Sequence, residues 1–150
     1  MSVGKFIAAN WPLPEVEPSK EYPLYINLDE GTICDGNADD NYRLCHFADV
    51  NSFTDKEYGV ILDWAYCTEG RAKLIIEHIK SVLQHTDSVE LWQVWLGDLY
   101  DDERPVVKRA TVSIADLTTE DIQKWNDQEV WKTPTRYGDR PTFHCLKIVR

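Results

Sequence analysis

The chain has no run approaching the ~20 consecutive apolar residues that a membrane-spanning helix needs. Its start, MSVGKFIAAN, lacks the long apolar core of a secretory leader. A soluble, cytoplasmic protein is therefore expected. No glycine-rich phosphate loop, nucleophile elbow or His-Glu-x-x-His segment occurs, which removes the commonest signatures of nucleotide, acyl-transfer and zinc-hydrolase chemistry. Cysteine is sparse: Cys34, Cys45, Cys67 and Cys145 share no short repeated spacing, as expected of reduced cytosolic thiols rather than a disulfide framework. Positive charge is also in deficit, with 16 Lys and Arg against 26 Asp and Glu and a formal net charge of −10. Direct nucleic-acid binding, which needs clustered cations opposite phosphate, is disfavoured. A basic protein partner is favoured instead, drawn in by the long-range field.

What the chain does have is enough length and apolar content for a core. Its 150 residues, 43% of them hydrophobic, suit one domain spanning 1–150 without a metal or disulfide staple. Six tryptophans are core anchors or, where exposed, binding anchors. The charge is uneven. Residues 1–50 carry nine acids against Lys5, Lys20 and Arg43, whereas residues 101–150 hold nine of each sign.

VGKFIAA (residues 3–9) reads as a strand, and Pro12, Pro14 and Pro18 then forbid helix. YPLYINL (22–28) is strand-like and closes at the DEGT turn. A strand is expected within YRLCHFADV (42–50), and another, covered on both faces, at YGVILDWAYC (58–67). Over residues 68–85 the period changes: Ala72, Ile75, Ile76, Ile79, Val82 and Leu83 form one helical stripe, with Thr68 as N-cap. SVELWQVWLGDLY (88–100) alternates between two apolar faces and is expected to form a hairpin with RPVVKRATVSIADL (104–117). Thr118 and Asp121 make a capping-box pair opening a second, shorter helix, with Leu117 placed to staple on Ile122. TFHCLKIVR (142–150) is a terminal strand. The sum is an α+β domain: a mainly antiparallel sheet with one long and one short helix packed on it.

Three stretches could carry chemistry. DGNADDNYRLCH (35–46) places Asp35, Asn37 and Asp39 at EF-hand positions 1, 3 and 5, but Asp40 stands where the glycine belongs and His46 where the glutamate belongs. An Asx-rich surface turn fits better than a calcium loop. Cys45-His46 and His144-Cys145 could supply a zinc set, yet adjacent strand residues point to opposite faces and the usual ligand spacing is missing. No cofactor or metal is therefore expected. A Cys/His enzyme using Cys45, Cys67 or Cys145 with His46 or His144 is the runner-up, although an acidic chain is poor ground for a thiolate. A third reading is an interaction module of a larger assembly. In WLGDLYDDERP (95–105), Asp98, Asp101, Asp102 and Glu103 interleave with Trp95 and Tyr100. That composition suits a contact loop in which aromatics fill pockets while carboxylates meet Lys or Arg. Asp35, Asp39 and Asp40 are expected to extend the same contact face.

The opening FIAANWPLPEVEP, a short strand into a Pro- and Glu-rich turn, together with the size and acidity of the chain, resembles small immunity proteins of contact-dependent growth inhibition and other polymorphic toxin systems. The resemblance implies a cytoplasmic, non-enzymatic antidote that binds a basic cognate toxin domain, often a nuclease, and blocks substrate access. It carries no residue roles with it.

Overall fold

A computed structural model of the chain describes residues 3–63, 68–97, 105–130 and 140–150. It is α+β. The described elements are β1 (Val3–Ala9), β2 (Tyr25–Asn27), β3 (Thr32–Cys34), β4 (Leu44–His46), a 3-10 turn (Ala48–Ser52), β5 (Tyr58–Leu62), α1 (Glu69–Val82), β6 (Ser88–Trp95), β7 (Val106–Ser113), α2 (Thr119–Asn126) and β8 (Thr142–Val149). Six strands form a sheet in the order β4-β5-β1-β6-β8-β7, with β2 and β3 paired apart from it. Every neighbouring pair is antiparallel except β7 and β8, which run parallel.

The expected hairpin between residues 88–100 and 104–117 does not form, because β8 lies between β6 and β7. The side chains explain the order. β6 is buried along almost its whole length, and β8 offers an apolar side chain to each face, so both belong inside the sheet. β7, VVKRATVS, is exposed over its first six residues, and its lysine and arginine suit an edge, where charge discourages further strand pairing. The parallel β7–α2–β8 connection then follows, since a parallel neighbour requires a crossover and α2 supplies it.

Both sheet faces are covered. On one, Ile7, Ala9, Val60, Leu91 and Ile148 pack against Ile75, Ile76 and Ile79 of α1 and Ile122 and Trp125 of α2. Thr68 caps α1 by accepting from the Arg71 N–H at 3.2 Å, and the helix runs 14 residues, shorter than the 68–85 stretch of its pattern. Thr118 and Asp121 form the expected capping box, and Leu117 and Ile122 are both buried in this core. On the other face, Phe6, Ala8, Trp92, Val94 and Phe143 meet Phe47, Val50 and Phe53. The strand expected over 42–50 is short for this reason: after His46 the chain turns, which lays Phe47 and Val50 over the sheet with Phe6 and Phe47 rings 4.8 Å apart. Gly59 permits that approach, since a Cβ there would lie 2.8 Å from Val50 Cβ and 3.3 Å from the Phe47 carbonyl oxygen.

Candidate binding surface

The acidic stretch at 35–41 is tied to the start of α1. Asp35 is buried, and its Oδ2 lies 2.8 Å from Nη1 of Arg71, whose side chain is 1% exposed. The same arginine donates from Nε to the Ala38 carbonyl at 2.9 Å. Asp35 Oδ1 accepts from the Asn37 N–H at 3.0 Å, an Asx turn in which Gly36 and Asn37 both take positive φ. Asp39 Oδ1 accepts from the Gly70 N–H at 3.2 Å, meeting a donor that the first turn of α1 leaves open. Asp40 is exposed, bonded by the Tyr22 hydroxyl and paired with Lys20 at 3.2 Å. Tyr22 and then Lys20 hold the Asp40 carboxyl below its ordinary range, and the same bond raises the Tyr22 phenol. Asp35, expected as a contact acid, thus has its carboxylate turned inward, while Asp39 and Asp40 lie at the surface with partners of their own chain.

Of the second expected group, Trp95 closes β6, half-buried against the phenylalanine-rich core. Asp98, Tyr100, Asp101, Asp102 and Glu103 lie outside the described residues, as does Cys67.

Immediately before the acidic stretch, β2 and β3 form a hairpin in which β2 and Ile33 are exposed to solvent. Ile26 sits opposite Ile33, and they are 65% and 66% exposed. Leu24, Tyr25 and Leu28 are exposed as well, Leu28 at 87%. The turn is set by Asn27, whose Oδ1 accepts from the N–H groups of Asp29 and Glu30, and by Gly31 at φ 63°, a conformation that suits glycine.

Among the described residues, the thiols of Cys45 and Cys145 do not come together at one site. Cys45 and Cys145 lie on β4 and β8, four strands apart in the sheet, roughly 19 Å at ~4.8 Å per strand. Burial, with Glu90 second, pushes the Cys145 thiol up to about 12. Burial and then Asp63 also raise Cys45. Cys145 lies in the phenylalanine-rich core, whereas the ring of His144, on the opposite side of β8, contacts the Glu129 carbonyl at 3.3 Å. Among the described residues, no group of three His, Cys, Asp or Glu side chains is placed to hold a metal ion, and no helix is long and apolar enough to cross a membrane.

No protein-family model matches the chain, and neither a curated protein nor a solved structure matches it significantly. The surface is accordingly read from its own chemistry.

Two features escape the sequence reading. The first is the hairpin's outward face: YPLYINL reads as a strand, but nothing in its alternation says that no layer covers it. The available signal is charge, since residues 21–42 contain no Lys or Arg at all. The second is a polar cluster beneath the 3-10 turn. Glu90 is buried on β6, with Oε2 accepting from Thr54 Oγ1 at 2.7 Å and Trp92 Nε1 at 2.8 Å. Arg109 lies over the Trp92 ring, 4.9 Å from its centroid, and donates to Cys145 Sγ at 3.7 Å. The Glu90 carboxylate and Trp92 indole are buried, and the exposed Arg109 closes over them, so the cluster ties β6, β8 and β7 together.

Proposed function

We propose that the chain is a non-enzymatic immunity or inhibitor protein that binds and neutralises a basic cognate protein, a toxin domain of the nuclease kind, through an acidic surface. The observation that supports this is how charge is sorted across the sheet. β4 is bordered by Glu15, Glu17 and Asp63 with Arg43 between them: Glu15 accepts from the His46 N–H at 2.7 Å, and Arg43 pairs with Glu17 and Asp63 at 3.2 Å each. Toward the opposite edge, residues 105–113 on the edge strand β7 and 140–150 on and beside its neighbour β8 carry Lys108, Arg109, Arg140, Lys147 and Arg150 and no acid of their own, with Asp87 3.8 Å from Arg150. A molecule polarised in this way orients a cationic partner toward one end before contact. Asp39 and Asp40, together with Asp98, Asp101, Asp102 and Glu103, remain the acids proposed to meet it, with Trp95 or Tyr100 as anchors. The raised thiols of Cys45 and Cys145 weigh against a thiolate enzyme, because the thiolate is the reactive form.

The test is to express the adjoining upstream reading frame and, if it encodes a protein with a basic C-terminal domain, to measure association with that domain by stopped flow at low and high ionic strength beside an assay of the domain's activity; a neighbour of another kind counts against the proposal. A stoichiometric complex that blocks the activity and forms more slowly as salt rises is expected. Absence of a complex overturns the proposal, and a rate flat with salt removes the steering argument. One cysteine alkylating far faster than the rest near neutral pH favours the enzyme reading instead.

A further inference from the structure

We propose that the outward apolar face of the β2–β3 hairpin, Leu24, Ile26, Leu28 and Ile33, is the element that docks the partner. Its occupant is a protein surface whose apolar side chains are bordered by Lys or Arg. This deepens the reading of the chain as a binder of a basic protein and rests on it.

A two-stranded hairpin is barely stable alone in water, and this one is held at its base rather than along its arms. One leg is fastened where the Tyr22 hydroxyl bonds Asp40, the other where Asp35 meets Arg71. Between these fastenings Ile26 and Ile33 form a cross-strand pair with Leu24 and Leu28 two residues to either side of Ile26. Four large aliphatic side chains are thereby gathered in water on a supported arm. Isolated exposed apolar residues are ordinary, but a contiguous set on one small element marks an interaction surface.

Charge decides what covers it. From residue 21 to residue 42 the chain has six acids and no Lys or Arg. Asp35, Asp39 and Asp40 have partners within the fold. Asp29 and Glu30, at the turn, are exposed and enter no ion pair among the described residues. A second copy of the chain would set like-charged turns together on two bodies of net charge −10 each, which repel. An anionic lipid surface is repelled for the same reason. A cationic protein surface with an apolar centre satisfies both features: the aliphatic side chains fill its pocket, and Asp29 and Glu30 meet its rim.

The experiment uses the full chain labelled with nitrogen-15 and three amphipathic helical peptides: a leucine stripe flanked by lysines, the same stripe flanked by glutamates, and the same lysines with serine for leucine. The lysine-leucine peptide is expected to bind, to shift the amides of residues 24–33 most, and to lose about tenfold or more in affinity against the Ile26→Ser/Leu28→Ser variant. The other two peptides are expected to bind at least tenfold more weakly. Shifts confined to other acidic surfaces overturn the hairpin assignment while leaving the basic-partner reading intact. No binding of either lysine peptide at any site counts against both. Equal binding of the serine peptide removes the apolar face from the account. Equal binding of the glutamate peptide, or self-association of the free chain that the double variant abolishes, replaces the cationic partner with an apolar contact or a second copy.

Discussion

Residues 24–33 and 35–41 are adjacent and equally devoid of Lys and Arg, yet the fold uses them in opposite ways. In the second stretch the carboxylates are turned to their own chain: Asp35 to Arg71 and Asp39 to the start of α1. In the first, the aliphatic side chains are exposed, and Asp29 and Glu30 at the tip enter no ion pair among the described residues. The comparison teaches that acid density alone does not locate a contact surface. An aspartate before a helix is as readily a clamp on that helix's unmet N–H groups as a ligand for a partner.

The largest expected effect breaks the clamp. Asp35→Ala leaves the Arg71 guanidinium buried beside a missing carboxylate, and loss of one member of a buried pair costs about 3–5 kcal/mol. Urea unfolding read by tryptophan fluorescence should show it as a large fall in midpoint, with much of the loss recovered when Arg71→Met accompanies Asp35→Leu. A single-variant loss below about 1 kcal/mol, the range of an exposed pair, would show that the stretch is a surface turn after all.

The next effect tests α1 itself, the helix that Arg71 anchors. His78 is buried on it, and desolvation lowers its imidazole from 6.5 to about 4. The folded state therefore resists a proton that the unfolded chain accepts. Stability is full above about pH 6.5 and falls as the pH drops toward 4, by up to roughly 3 kcal/mol for this group. His78→Leu should flatten that part of the profile relative to the parent chain in chemical denaturation between pH 7 and 4. An unchanged difference between parent and variant across that range removes His78 as the cause.

Much of the frame was readable from period and caps. The stripe from Ala72 to Val82, the Thr118–Asp121 box, and the two-faced alternation of residues 88–95 each name a local structure whose physics is local. The order of strands was not, because it depends on which strand tolerates an edge. Lys108 and Arg109 of β7 hold that information only once β8 is known to be the more apolar competitor. The site is split in the same way. The Asx turn at Asp35 was legible, since it is made by neighbours in sequence, whereas its ion pair with Arg71 joins residues 36 positions apart and left no mark in composition. The exposure of Ile26 and Ile33 was hidden for the converse reason: an alternating apolar strand looks the same whether a second layer covers it or water does.

The smallest expected effect sharpens the comparison from the hairpin's side. Leu28 is 87% exposed, so folding removes almost none of its surface from water and Leu28→Ser should change stability by no more than about 0.5 kcal/mol. Ile26→Ser, at 65% exposure, should cost little more. Large apolar side chains whose replacement leaves the fold unharmed contribute nothing that the fold requires, and that is the physical signature separating a docking face from a core face. A fall of 2 kcal/mol or more in the urea-derived stability of either variant would mean that another part of the chain covers this face in solution, and the hairpin would then belong with the Asp35 clamp as a structural element.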